Sequence, residues 1–313
     1  ASYNTTRSRF FSEYGFQSFP GVESIKRFAP DSSVWRIDSD VMMSHQRGGS
    51  FANMRIAQYM EDEYWRPEDF EDFIYMSHVL QGDAIKIAIE AHRRDKPYCW
   101  GSLFWQHNDC WPVASWSSRD WYGCWKAQHY LAKYAYRDIL VSPVIKDGKV
   151  TVTVVSDRLA KTKGELVLKV MDMQGKEYWS WSETVTLEAN SSKVFYDGVP
   201  ENIGDPSEMI LYAVFKTKDG AYDNICCFNL LKDMDLPDAE ITYEIRQTGD
   251  GYEVELSSDS YARAVWLTID GTDHHFSDNY FDILPGGTKT VSVKTGLTEE
   301  DFRSQLRIRH LAQ

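Results

Sequence analysis

The hydrophobic and polar positions of this chain follow two rhythms, and the change falls near residue 140. In the first part, apolar residues come in short runs or at intervals of three and four. Phe10 to Tyr14 and Gly101 to Trp105 are short apolar stretches next to glycine, and each predicts a buried strand. Between them, Gly49 to Tyr64 has apolar residues near helical spacing. Pro67 then opens a long helix in which Phe70, Phe73, Ile74, Ser77, Val79, Leu80, Ala84, Ile87, Ala88 and Ala91 recur through to His92. Its acidic first turn (Glu68, Asp69, Glu71) and basic end (Arg93, Arg94, Lys96) suit the helix dipole. A further helix is expected from about Trp121 to Tyr136. Strand, helix, strand, helix with long connections predicts βα units around a parallel sheet, and two such units do not close a barrel.

After Pro143 the period becomes two. Lys146-Asp147-Gly148-Lys149 carries a hairpin turn signal. Val150 to Val155, Leu166 to Val170, Val194 to Tyr196, Met209 to Phe215 and Ile225 to Leu230 are strand candidates. Pro237, in a short acidic stretch, marks a linker. Ile241 to Arg246, Tyr252 to Leu256, Ala264 to Ile269 and Thr290 to Lys294 then repeat the pattern, with turns at Gly249-Asp250-Gly251 and Pro285-Gly286-Gly287. The fold class is therefore α/β plus all-β: a first segment at 1–139, then β-sandwich domains at 140–236 and 237–313. One larger sandwich after residue 140 is the alternative.

The 313 residues suffice for two or three domains. A formal net charge of −13 argues against a nucleic-acid partner, because phosphate binding depends on Lys and Arg. No apolar run approaches the ~20 residues that span a bilayer, and Ala1-Ser2-Tyr3-Asn4 lacks the regions of a signal peptide. Cys99, Cys110, Cys124, Cys226 and Cys227 are an odd set without CxxC spacing, expected to be buried free thiols, and they leave the redox compartment open. Adjacent Cys226 and Cys227 in a strand point to opposite faces. His45, His78, His107 and His129 show no zinc-motif spacing with a carboxylate, so neither metal nor cofactor is expected.

The aromatic content changes the picture most. Eleven Trp, 18 Tyr and 15 Phe suit flat apolar ligands such as sugar rings, although large cores also use them. Six of the Trp crowd into 100–125, where Gln106, Asn108 and Asp109 add groups that hydrogen-bond hydroxyls. Aromatic faces stack on the C–H side of a pyranose while amides and carboxylates orient its hydroxyls. Trp105, Asn108, Asp109 and Trp111 are thus candidate substrate-binding residues, although an Asn-Asp pair also makes Asx-turns. Glu13 ends its apolar run just before a loop, where barrel enzymes place their chemistry.

Phe11 to Phe19, Gln46-Arg47-Gly48-Gly49, Tyr75 to Gln81, Trp105-Gln106 with Asn108-Asp109, Ser115-Trp116-Ser117-Ser118, Gly123, Trp125-Lys126 and His129-Tyr130 together resemble the β-mannosidases of glycoside hydrolase family 2. A weaker likeness runs from Phe276 to Gly286. The resemblance implies that 1–139 is the C-terminal portion of a catalytic (β/α)8 TIM barrel, about its last two βα units, followed by two immunoglobulin-like β-sandwich domains. It also implies that Glu13 is the catalytic nucleophile and Trp105 the wall of a mannose subsite, with no metal in the mechanism.

Retaining hydrolysis needs a second carboxyl about 5 Å from the nucleophile. By the resemblance, this acid/base Glu follows an Asn at the end of the fourth barrel strand, well before the nucleophile, and these residues are expected to include neither it nor the N-terminal domains of the same polypeptide. The expected parent enzyme removes terminal β-D-mannose from a mannoside or mannan oligosaccharide, and the 313 residues by themselves are expected to be inactive. Alternatives are an endo-β-mannosidase, an exo-β-glucosaminidase, or a non-catalytic carbohydrate-binding or structural module.

Overall fold

A computed structural model describes residues 2–271 and 275–312. Ala1, residues 272–274 and Gln313, which belong to the expected first and last domains, lie outside the described residues. Among the described residues five α-helices precede the sandwich region: α1 Val22–Phe28, α2 Asp40–Ser44, α3 Ala52–Glu63, α4 Phe70–Arg94 and α5 Ala127–Ala135. The chain divides into two compact units, 1–13 with 86–103 and 132–237, and 14–85 with 104–131 and 238–313.

In the first unit, two antiparallel sheets form a sandwich. One has the order β1-β2-β5 (Ile139–Lys146, Lys149–Ser156, Ser191–Gly198) and the other β4-β3-β6-β7 (Glu177–Leu187, Thr162–Asp172, Met209–Thr217, Gly220–Cys227). Alternation puts Val150, Val152 and Val154 of one sheet and Leu166, Leu168, Leu211 and Phe215 of the other into a common buried core. Lys146 pairs with Lys149 across Asp147 (φ 52°) and Gly148 (φ 75°). Both turn residues are left-handed, as a type I′ hairpin requires. Two strands go beyond the sequence pattern. β1 carries Pro143, which an edge strand tolerates because it need not donate there. β4 is an edge strand whose inward alternation Trp179, Trp181, Val185, Leu187 is interrupted by exposed Glu183.

In the second unit the sheets have the orders β12-β9-β8 (Thr288–Lys294, Gly251–Ser258, Ile241–Gln247) and β11-β10-β13 (Phe281–Ile283, Ala262–Ile269, Leu306–Leu311). Their core includes Val254, Leu256, Val265, Leu267 and Val291. The acidic run Glu299-Glu300-Asp301 opens a helix, α6 Glu299–Gln305. The Thr298 side chain caps it on the Asp301 N–H, and Phe302 drops into the core with its ring 4.4 Å from that of Tyr252.

Helix α4 starts where Asp69 caps the Asp72 N–H at 2.8 Å. Tyr75, Met76, Ser77, His78, Val79 and Gln81 are all buried, so the helix is enclosed nearly all round rather than along one stripe. α5 begins several residues after the expected Trp121. Asp120 accepts from the N–H groups of Tyr122 and Cys124, and Gly123 is left-handed (φ 100°), so 120–125 is a turn. The expected parallel sheet is not formed. Among the described residues the sheets are antiparallel, and parallel pairing is limited to isolated bridges such as Phe11 with Ser102.

Candidate functional site

Glu13 lies in the first unit, at the end of the segment that makes that parallel bridge. Trp100 N–H donates to Arg9 O (3.0 Å), Phe11 N–H to Gly101 O (2.8 Å) and Leu103 N–H to Phe11 O (2.8 Å). The spacing is that of a parallel ladder too short to make either stretch a strand. Close approach is possible because residue 101 is glycine: a Cβ there would fall 2.0 Å from the Phe10 ring. Phe11 stacks on His92 with centroids 3.6 Å apart, and the Arg7 guanidinium grips Asp95 at its Nε and Nη2. These contacts fix the backbone before Glu13 and leave its side chain exposed.

The other candidates lie in the second unit, on the loop that follows Phe104. Trp105 N–H donates to Tyr14 O at 2.7 Å. A Cβ on Gly15 would meet Trp105 O at 2.4 Å, so this contact too requires glycine. Trp105 is 44% exposed, which leaves part of its surface open to a ligand. Gln106 N–H donates to Trp116 O (3.0 Å) and Gln106 O accepts from Ser118 N–H (2.9 Å), while Ser18 and Ser115 exchange backbone hydrogen bonds. The loop is therefore folded back on itself directly after Trp105.

Asp109 is the hub of this fold-back rather than the start of an Asx-turn. It is buried, and its Oδ1 accepts from Gln106 Nε2 (3.0 Å) while its Oδ2 accepts from Ser115 Oγ (2.9 Å) and Ser117 Oγ (2.5 Å). Three donors satisfy a carboxylate that burial would otherwise penalise. Its neighbour Asn108 is exposed. Trp111 is half-buried, its ring 5.5 Å from His45, and His45 Nδ1 lies 2.7 Å from Pro112 O. The structure thus gathers Trp105, Asn108, Asp109 and Trp111 on one loop and assigns Glu13 to the other unit.

Lys126 is wholly buried, its Nζ 3.5 Å from Ser18 O. Burial pushes its pKa down, opposed by the negative charges of Asp109 and Asp120. Asp120 ties the turn after the loop to Gly21 N–H at 3.2 Å. Asp120 is not singled out in the sequence, Ser115, Ser117 and Lys126 only as part of the resemblance, and Gln106 only as a group able to hydrogen-bond a hydroxyl. Their signal is polar side chains recurring inside a tryptophan-rich run, where an apolar core reading leaves no place for them. Among the described residues no group of three or more His, Cys, Asp or Glu side chains is disposed to hold a metal ion. Of the cysteines expected to be buried, Cys99 is; Cys110 is exposed on the loop, and Cys124, Cys226 and Cys227 are intermediate.

Two family descriptions match the sandwiches: a mannosidase Ig/CBM-like domain over 148–233 and an Ig-fold domain of mannosidases over 236–313. The β-mannosidase of Capra hircus is 27% identical over 91% of this chain and 35% of its own length. β-Mannosidase B of Thermothelomyces thermophilus is 27% identical over 91% of this chain and 37% of its own. The crystal structure of the β-D-mannosidase from Dictyoglomus thermophilum superposes with a TM-score of 0.90 at 29% identity, covering 99% of this chain and 38% of that one. The chain is related to the C-terminal part of family 2 β-mannosidases. It spans little more than a third of the length of these β-mannosidases. The likeness runs beyond the two immunoglobulin-like domains into the residues before them, among which is the loop with Trp105 and Asp109, since it covers nearly the whole chain. An exo-chitosanase from Amycolatopsis orientalis, at 18% identity and a TM-score of 0.73, shares the fold over 96% of the chain. No helix of the described residues is long and apolar enough to cross a membrane.

Proposed function

We propose that these residues belong to a retaining β-mannosidase in which Glu13 is the nucleophile. Its carboxylate attacks the anomeric carbon of a terminal β-mannosyl residue and the glycosidic C–O bond breaks. The departing oxygen takes a proton from the acid/base carboxyl, and water then displaces the enzyme with retention. Trp105 lies against the apolar face of the mannose, and exposed Asn108 and half-buried Trp111 are secondary contacts on the same loop. Asp109 serves the loop rather than the sugar, since its oxygens are occupied by Gln106, Ser115 and Ser117. Residues 1–139 form the C-terminal part of the catalytic (β/α)8 barrel, with sandwich domains at 140–236 and 237–313.

The observation that carries this reading is the 0.90 TM-score likeness to a β-D-mannosidase over 99% of the chain. The acid/base residue implied by the family resemblance is not among these 313 residues, so the isolated polypeptide is expected to release no nitrophenol from p-nitrophenyl β-mannoside. Release that is abolished by Glu13→Gln would overturn this. The fold shared with an exo-chitosanase keeps a glucosaminide substrate as the second reading. A panel of aryl β-mannosides and β-glucosaminides on a protein carrying the whole barrel separates the two.

A further inference from the structure

We propose that Asp109 is a positioning residue whose carboxylate cross-links the loop after Trp105 and thereby sets the orientation of the Trp105 indole. The inference deepens the reading of Trp105 as a sugar platform and rests on it for its consequence in binding. Gln106 immediately follows Trp105 and is tied through its backbone to Trp116 and Ser118. Its side chain is tied to Asp109, whose other oxygen holds Ser115 and Ser117 on the returning arm. One carboxylate therefore bridges the two arms of the loop at the residue next to the indole. An ionised carboxylate suits this place because it only accepts and can take three donors at once.

The surroundings support the assignment. Asp109 is 3% exposed, so its hydrogen bonds are not exchanged for water. Ser115 Oγ also accepts from Ser117 N–H at 3.1 Å, which leaves its hydroxyl hydrogen for the carboxylate. Replacing Asp109 by Asn substitutes an amide donor for one carboxylate oxygen, so that one arm, either Gln106 or Ser115 with Ser117, loses its acceptor. Buried Lys126 would then keep Asp120 as its nearby carboxylate without the charge of Asp109.

The test uses the 313-residue chain and the indole N–H resonances of its 11 Trp. The Trp105 signal is assigned by its loss in Trp105→Phe, and that of Trp266 on β10, in the same unit, reports folding. Asp109→Asn is expected to shift and broaden the Trp105 signal while Trp266 stays in place, and Ser117→Ala to move it in the same direction by less. If Asp109→Asn does not fold, Ser117→Ala alone decides. An unmoved Trp105 signal in a folded variant would overturn the proposal. Binding of mannobiose is expected to weaken about tenfold in Asp109→Asn and in Trp105→Ala, with no further loss when the two are combined. Additive losses would also overturn the proposal. A Trp105 signal that moves in a chain that binds no mannobiose keeps the positioning role and overturns the sugar platform.

Discussion

Arg263 Nη2 lies 2.7 Å from both carboxylate oxygens of Asp83, a residue 180 positions earlier in the chain. Arg263 Nη1 bonds Asp282 at 2.8 Å, and Tyr64 OH donates to Asp83 at 2.7 Å. Within the second unit this network pins α4 to β10 and to the segment after α3. Burial would lower the pKa of Arg263, but Asp282 and Asp83 outweigh it and raise it, so the guanidinium stays charged.

Removing Asp83 leaves Arg263 with Asp282 alone and takes from the Tyr64 hydroxyl its acceptor. Asp83→Ala is expected to destabilise the second unit by about 3–5 kcal/mol. Urea denaturation measures this, and a loss within ~0.5 kcal/mol would mean that the network is solvated. Tyr64→Phe, which removes one hydrogen bond to a charged group, should cost roughly 1.5–3 kcal/mol.

His78 gives the fold an acid sensitivity. Its Nε2 lies 2.8 Å from Phe19 O, so Nε2 carries the proton and Nδ1 accepts from Tyr280 OH at 3.0 Å. Burial and the nearby Lys126 charge push its pKa down to about 3. The unfolded chain binds this proton near pH 6.5 and the folded chain does not, so stability is full above that pH and falls as the pH drops toward 3. The slope reaches about 1.4 kcal/mol per pH unit for this one group. His78→Gln should flatten the difference in denaturation midpoint between pH 7 and pH 5; an unchanged difference would assign the sensitivity elsewhere.

Gly15→Ala probes how Trp105 is seated. The added methyl meets the Trp105 carbonyl at 2.4 Å and the Trp116 ring at 2.9 Å, and the backbone oxygen cannot rotate away. The variant is expected to lose about 1–3 kcal/mol of stability and to shift the Trp105 indole resonance. A shift confined to Trp116 would mean that its ring alone yields.

Much of this architecture is legible in sequence because it is local. β3 alternates and β2 and β6 are short apolar runs buried on both faces, all patterns that a strand makes, and Asp147-Gly148 states its turn type outright. β4 hides because, at a sheet edge, Glu183 sits on the inward side of a strand that otherwise alternates correctly. The start of α5 is misread because Asp120 captures the amides that would have begun a longer helix. The tryptophan-rich loop shows in the sequence as a cluster of aromatic residues, of which Trp105 is exposed and Trp111 half-buried. The burial of Asp109 beneath the loop's own serines is a tertiary fact, set by the pairing of Ser18 with Ser115 almost a hundred residues away. The Arg263–Asp83 pair is likewise beyond any window of local pattern.

The role of Glu13 is tested most directly by trapping it. An active protein containing these residues is treated with a 2-deoxy-2-fluoro-β-mannosyl fluoride, which slows breakdown of a glycosyl-enzyme ester, and is then digested and read by mass spectrometry. A fluoromannosyl adduct on the tryptic peptide 10–26, placed by fragmentation on Glu13 and absent from Glu13→Gln, is the expected result. An adduct on any other residue would contradict the assignment of Glu13 as nucleophile.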